Sequence, residues 1–150
     1  MNVHDRYAGL SGIEQMRALQ ASGGRPPIME TLQFELLEVE DGRVAFVGTP
    51  GPHAYNPIGS IHGGYAATLL DSACGCAVHT RLSATQAYTT LELKISYLRG
   101  MSADTGLVRA EGSVISVGRR VAFAEARLVD AKGKLLATAS STLLVIDKAA

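Results

Sequence analysis

Residues 63–82 read GGYAATLLDSACGCAVHTRL, and this stretch decides the fold. Its length predicts a helix, although glycine and cysteine are weak helix formers, so burial must stabilise it. From Gly63 to Val78 the single charged residue is Asp71. A helix that is small and apolar on nearly every side is predicted to lie inside the protein, enclosed by other elements or pressed against another backbone.

The sequence pattern after this helix changes from a period of 3.6 to a period of two. In residues 90–98 apolar and polar side chains alternate, which predicts a half-buried strand. Its predicted buried side chains are Leu91, Leu93, Ile95 and Tyr97. Three more strands are predicted at residues 106–117, 120–130 and 135–146, the last two joined by the short turn DAKG.

Two strands are also predicted before the helix, at residues 32–40 and 43–49, because the Asp-Gly pair between them is typical of a β-hairpin. Further upstream, Ser11 and Glu14 form a capping-box pattern that begins a short amphipathic helix. The fold class is therefore α+β, with a curved antiparallel sheet around a long central helix and a short N-terminal helix. We expect one domain, made of an N-terminal helical extension (1–27) and a main part (28–150).

The composition narrows the classes of function. The chain has 150 residues, with 14 basic against 14 acidic side chains, and this balance argues against binding to nucleic acid. No apolar run reaches the roughly 18 residues of a membrane span, and residues 1–10 do not resemble a secretory signal, so we expect a cytoplasmic protein. Cys74, Cys76 and His79 share one helix without a fourth ligand, so no metal is predicted.

The candidate chemistry lies where the central helix begins, in the run NPIGSIHGG at residues 56–64. Gly63 and Gly64 open the helix, so their amide N–H groups have no acceptor within it. The helix dipole favours negative charge at this end, and a residue without Cβ lets a ligand approach the backbone. The two glycines therefore predict an oxyanion hole built from main-chain donors.

Asp71 is the second candidate, because a lone carboxylate in an apolar helix is costly unless it is paired or used. It follows Gly63 by eight residues, or about 12 Å of helix rise. Both groups would have to lie within about 3 Å of one reacting carbon. We therefore predict an obligate two-fold dimer in which Asp71 of one protomer faces Gly63 of the other. The small residues that suit close approach to a partner or to an enclosing sheet are Ala66, Ala67, Ala73 and Gly75.

Four other polar residues leave two interpretations open. His62 can orient the loop before the helix or bond to a substrate carbonyl. Asn56 can form a turn, or its amide can point into the site. Arg119 and Arg120, between two predicted strands, can belong to an ordinary turn or bind phosphate groups.

Three runs carry a resemblance to a known family: NPIGSIHGGYAATLLD at 56–71, TLELKISYLRG at 90–100 and GRRVAFAEARLVDAKGKLLATASSTLLV at 118–145. Across about residues 9–145 the chain resembles the PaaI-like branch of the hotdog-fold acyl-CoA thioesterases. The resemblance implies hydrolysis of an acyl-CoA to a free acid and CoA, without a cofactor.

The same resemblance implies a role for each matching residue. The Gly63 N–H polarises the thioester carbonyl, His62 is the histidine of the HGG motif, and Asn56 helps to position the nucleophile or the substrate. Asp71 of the opposite protomer is the nucleophile or the general base. Thr90 matches a Ser/Thr that orients the water or the carboxylate.

The strand alternation gives a different assignment for that threonine. By parity Thr89, not Thr90, lies on the same side as Leu91 and Leu93. A bulge at the start of the strand would decide between Thr89 and Thr90.

Members of this family pair their dimers into tetramers, and the CoA nucleotide lies at the surface near basic residues. The resemblance thus favours a homotetramer, with Gly64, Arg119 and Arg120 as substrate-binding residues. Two alternatives to hydrolysis remain at this stage. One is an acyl-CoA hydratase or dehydratase, for which His62 and Asp71 lie too close in sequence to act from one protomer. The other is a non-catalytic acyl-CoA binding module.

Overall fold

A computed structural model of the protein describes residues 2–148; residue 1 and residues 149–150, the outer ends of the two predicted parts, lie outside this range. The helices are α1 (Val3–Arg6), α2 (Gly12–Ala21), α3 (Pro27–Leu32) and α4 (Gly63–His79). The strands are β1 (Phe34–Glu40), β2 (Arg43–Gly48), β3 (Gln86–Tyr97), β4 (Val108–Val117), β5 (Val121–Asp130) and β6 (Leu135–Asp147). Single turns of 3₁₀ helix cover Pro52–Ala54 and Ala103–Thr105.

The six strands form one sheet in the order β1-β2-β4-β5-β6-β3, and every neighbouring pair is antiparallel. Helix α4 packs against all six strands, so the sheet curves around it and the core lies between them. The predicted α+β class and central helix are confirmed. No helix in the described part of the chain is long and apolar enough to cross a membrane.

The sheet approaches α4 so closely that side chains are excluded at two points. A Cβ added to Gly112 on β4 would lie 2.2 Å from the carbonyl oxygen of Ala73. A Cβ added to Gly75 on α4 would lie 2.6 Å from the hydroxyl oxygen of Tyr88. Of the two explanations for the small residues of α4, close approach to the chain's own sheet accounts for Ala73 and Gly75.

The N-terminal part contains three helices where one was predicted. Helix α2 has the predicted capping box of Ser11 and Glu14. The strand predicted from Leu32 is wrong at its start, because Leu32 ends α3 and β1 begins at Phe34. Gln33 joins the two in a left-handed conformation (φ 56°), which prevents the helix from running on into the strand.

Strand β3 contains a β-bulge at Leu91. Thr90 pairs with Leu143 and Glu92 with Thr142, which leaves Leu91 as an extra residue. Leu91 is 59% exposed, so the prediction that it is buried is wrong. Leu93 and Ile95 pack against the core as predicted, whereas Tyr97, also predicted to be buried, is 54% exposed.

We expect Gly112→Ala to destabilise the fold, because the new methyl group would overlap the backbone of α4. Overpacking of this kind costs about 1–3 kcal/mol in the free energy of unfolding, measurable by urea denaturation. The matched control is Gly100→Ala, where nothing lies within 4 Å of the added Cβ. Equal unfolding midpoints for the two variants would show that the sheet does not touch α4 at Gly112.

Candidate active site

The first turn of α4 leaves one backbone donor free. His62 is the N-cap, and its Nδ1 accepts the N–H of Gly64 at 2.8 Å. Its carbonyl accepts the N–H of Tyr65 at 2.9 Å. Among residues 2–148 the N–H of Gly63 has no hydrogen-bond acceptor, so it is the donor available to a ligand at this positive end of the helix.

The cap also fixes the chemistry of His62 and Gly64. Because Nδ1 of His62 accepts a hydrogen bond, the proton of the neutral ring lies on Nε2, and the exposed ring can act as a donor. A Cβ on Gly64 would lie 2.9 Å from that Nδ1, so glycine is needed for the cap. The N–H of Gly64 is occupied by this contact.

Tyr97 supports the same turn and was not identified as a site residue from the sequence. Its hydroxyl donates to the carbonyl of Gly63 at 2.7 Å. A Cβ on Gly63 would lie 3.1 Å from that hydroxyl oxygen. The alternation in β3 predicted Tyr97 as a core residue, so no sequence signal distinguished it from Leu93.

The structure uses Asn56 as a turn former. Its Oδ1 accepts the N–H groups of Ile58 and Ser60, both at 3.1 Å, and its Nδ2 donates to the Ser60 hydroxyl at 3.0 Å. The loop is anchored beyond this turn, where the N–H of Ile61 donates to the carbonyl of Met101. Asn56 thereby holds the loop that delivers His62 to the start of α4.

Asp71 lies midway along α4, half-buried, and its Oδ1 accepts a hydrogen bond from the Thr90 hydroxyl at 2.9 Å. The bulge at Leu91 turns Thr90 toward the helix and leaves Thr89 exposed. The structure therefore brings Thr90, rather than Thr89, to the carboxylate. Since Gly63 and Asp71 belong to one α-helix and lie about 12 Å apart along its axis, they do not meet within one chain.

A cavity of about 550 Å³ opens beside Asp71. Helix α4 and strand β3 form one side, with Ser72, Cys76, His79, Tyr88, Thr89 and Thr90. The N-terminal helices form much of the other side. Burial raises the pKa of the Cys76 thiol to about 12, so it stays protonated and is a poor nucleophile.

His79 at the far end of this cavity is held by a buried glutamine. Gln15 donates its Nε2–H to the carbonyl of Leu10 at 2.8 Å and presents its Oε1 to Nε2 of His79 at 3.0 Å. The ring of His4 stacks on His79 with a centroid distance of 5.1 Å. These contacts tie α1 and α2 to the end of α4.

Arg119 and Arg120 lie apart from these groups. They are exposed in the turn between β4 and β5, beside a shallow cavity of about 430 Å³ formed with residues 144–147 of β6. The structure does not place them in the cavity that contains Asp71. Among the described residues no three His, Cys, Asp or Glu side chains are grouped so that they could hold a metal ion.

The chain is similar to proteins of one known family. The family model described as the thioesterase superfamily matches residues 58–137, more than half of the chain. A 1,4-dihydroxy-2-naphthoyl-CoA hydrolase of Listeria monocytogenes is 26% identical over 121 residues, which cover 81% of this chain and 97% of that protein.

Two further relatives support the match. A proposed esterase of Halobacterium salinarum is 42% identical over 73 residues. The matched stretch covers 47% of this chain and about half (46%) of the length of that esterase. The solved structure of a variant of the phenylacetic acid degradation protein PaaI from Thermus thermophilus superposes with a TM-score of 0.72. The two sequences are 28% identical, and the superposition covers 79% of this chain and 98% of the PaaI chain.

The buried histidine predicts how the stability of the protein depends on pH. Burial lowers the pKa of His79 from 6.5 to about 4, and repulsion from His4 and Lys148 adds to this. Between these values the unfolded chain binds a proton that the folded chain does not, so the contribution of His79 to stability is lost as the pH falls from about 6.5 to about 4.

We expect His79→Gln to lose less free energy of unfolding than the wild type over this range, measured by urea denaturation. The control is His53→Gln, an exposed histidine outside this cluster, which should keep the wild-type dependence. Parallel pH profiles for His79→Gln and the wild type would contradict the assignment.

Proposed function

This chain belongs to the thioesterase superfamily and is a thioester hydrolase related to the PaaI-like enzymes of the hotdog fold, and we propose that it hydrolyses acyl-CoA thioesters to a carboxylic acid and CoA. We propose that the active site combines Gly63 of one protomer with the partner's Asp71. The free N–H of Gly63 is the observation that carries this proposal, since an unpaired donor at a helix start suits a developing oxyanion.

In the proposed reaction the thioester carbonyl oxygen points at the N–H of Gly63. Attack on the carbonyl carbon moves negative charge onto this oxygen, where the amide and the helix dipole stabilise it. The ring of His62 caps the same turn and keeps the neighbouring N–H of Gly64 in place. Asn56 acts through the loop that positions His62, and Tyr97 acts through the carbonyl of Gly63.

Asp71 supplies the other half of the reaction. In one route Asp71 removes a proton from the attacking water, whose oxygen forms the new C–O bond as the C–S bond breaks. In the other route Asp71 attacks the carbonyl itself, and water then hydrolyses the mixed anhydride to the free acid and restores the carboxylate. The CoA thiolate is the leaving group in both. The Thr90 hydroxyl donates to Oδ1, which leaves Oδ2 for the reacting atom. Thr90 is thus a positioning residue for the carboxylate.

A dimer is part of this proposal, because about 12 Å of helix separates Gly63 from Asp71 in each chain. Strand β3 is the edge of the sheet next to β6, and its twelve residues have no partner on their other side within residues 2–148. A long unpaired edge is a ready surface for pairing with a second copy. We propose that two protomers join along β3, which brings their central helices side by side.

We also propose that two such dimers form a tetramer through the outer face of the sheet. Ile115 and Phe123 lie on the neighbouring strands β4 and β5, and Leu91 lies on β3, with β6 between it and β5. These three side chains are 61%, 46% and 59% exposed, respectively. An apolar group of this kind is typical of an interaction surface. The exposed pair Arg119 and Arg120 lies in the turn between the central strands β4 and β5, and it is our candidate for binding the phosphates of CoA.

We infer a cytoplasmic location from the two cysteines. Cys74 and Cys76 are free thiols in the structure. Unpaired cysteines are usual in a reducing compartment and do not require an oxidising one.

We expect Asp71→Asn to lower kcat for acyl-CoA hydrolysis by about 10²–10⁴-fold, because the amide cannot act as a base. Thr90→Val should lower it by about 10–100-fold through loss of one hydrogen bond to a charged group. The control Thr49→Val makes the same change at an exposed threonine that does not line the cavity beside Asp71 and should leave kcat near the wild-type value.

Release of CoA is followed with a thiol reagent, and crotonyl-CoA hydration is assayed in parallel. Full hydrolytic activity in Asp71→Asn would reject its catalytic role. Hydration without CoA release, or tight acyl-CoA binding with neither reaction, would reject thioester hydrolysis as the function.

The composite site is tested with a proline at Gly63. Proline is well tolerated at the first residue of a helix and has no backbone N–H. The control Gly63→Ala keeps the backbone N–H of residue 63 and, like the proline variant, adds a Cβ. We expect Gly63→Pro to lower kcat by about 10²–10³-fold, and Gly63→Ala to have a much smaller effect.

Co-expression of Gly63→Pro with Asp71→Asn gives heterodimers with one intact site, since each chain supplies what the other lacks. Random pairing then restores about a quarter of the wild-type activity. If both groups acted within one chain, the mixture would be as inactive as the two single variants.

A further inference from the structure

The cavity beside Asp71 runs along α4. Ser72, Cys76 and His79 follow Asp71 on one face of the helix and all line the cavity. From Asp71 to His79 the helix rises by about 12 Å. The cavity therefore begins at the carboxylate and leads away from it, toward the C-terminal end of the helix.

The wall opposite α4 comes from the N-terminal helices. Met16 and Leu19 of α2 and Met29 of α3 line it, and each is at most 4% exposed. Ile28 lines it too but is 51% exposed. Helix α2 is fixed in place, because the N–H of Gly12 donates to the carbonyl of Leu82 at 2.9 Å.

The lining of this cavity offers no positive charge. None of its fifteen residues is a lysine or an arginine, and its buried histidine, His79, is neutral at pH 7 because burial lowers its pKa to about 4. The single carboxylate is that of Asp71, at the reacting end. His4, the second histidine of the lining, also has a lowered pKa, chiefly through burial. Lys148, which lies close enough to lower the pKa of both histidines, does not line the cavity and donates to the carbonyl of Ala84 at 2.9 Å. A carboxylate at the far end of an acyl chain would therefore lose its water here and meet no lysine or arginine in the cavity wall.

Resting on the function proposed above, we propose that the acyl group lies in this cavity, between α4 and the N-terminal helices of the protomer that supplies Asp71. The enzyme then acts on bulky, uncharged acyl groups, and Met16, Leu19 and Met29 limit their size. A cavity of about 550 Å³ is large enough for a medium-length or aromatic group and leaves most of its space empty around an acetyl group.

The test fills the cavity. We expect Met16→Trp to lower kcat/KM for octanoyl-CoA at least about tenfold more than it lowers kcat/KM for acetyl-CoA, because the indole takes the space of the longer chain. The matched control is Leu37→Trp, at an exposed position of β1 that does not line the cavity. If Met16→Trp does not fold, Ile28→Trp makes the same test at a position that tolerates bulk.

Charge is tested on the wild-type enzyme by comparing hexanoyl-CoA with adipyl-CoA, which has the same length and a terminal carboxylate. We expect at least about a hundredfold preference for hexanoyl-CoA. Two results would overturn this inference and leave the proposed function intact. One is a wild-type ratio of octanoyl-CoA to acetyl-CoA hydrolysis in folded Met16→Trp and Ile28→Trp. The other is equal rates of hydrolysis for adipyl-CoA and hexanoyl-CoA. Failure of the wild type to release CoA from any of these thioesters would overturn the proposed function itself.

Discussion

The contact between β4 and the backbone of α4 at Gly112 and Ala73 is the constraint on which the rest of the structure depends. It requires a glycine in the strand and small residues in the helix, and it lets a single sheet enclose an almost uncharged helix. Because the sheet encloses α4, the polar groups that this helix gives to the proposed site lie at its first turn and beside the edge strand. Its first turn has the N–H of Gly63 without an acceptor among residues 2–148, and its carboxylate accepts a hydrogen bond from Thr90 of the edge strand β3.

One rigid element thus carries both reactive groups of the proposed site. The loops on either side do not contribute reacting atoms in this account; they hold the ends of the helix, through the Asn56 turn and the His62 cap. A fixed separation along a helix cannot be closed by a loop movement. In the proposed dimer, the distance between the oxyanion donor and the carboxylate is instead set by how the helices of the two protomers lie side by side.

Elements with strong local signals were predictable from the sequence. The hairpin at Asp41-Gly42 and the capping box of α2 depend on residues close together in the chain, and both are present. The central helix was predicted from the length of one continuous stretch, and it is present as α4. The bulge at Leu91 was not predictable, because it arises from pairing with β6, about 50 residues later. Without it, parity assigned Thr89 to the carboxylate; in the structure that position belongs to Thr90. Helix α3 and the N-terminal wall of the cavity likewise depend on contacts with distant residues.

The part of the chain before Phe34 and the part after Asn56 contribute different groups to the proposed site. The helix start, the carboxylate and its threonine all come from the later part, whereas much of the cavity wall facing them comes from the earlier part. During evolution, substitutions in the first thirty or so residues can reshape that wall while every reacting atom is inherited unchanged. If the proposed acyl site is right, selectivity for the acyl group can thus evolve separately from the chemistry of the thioester bond.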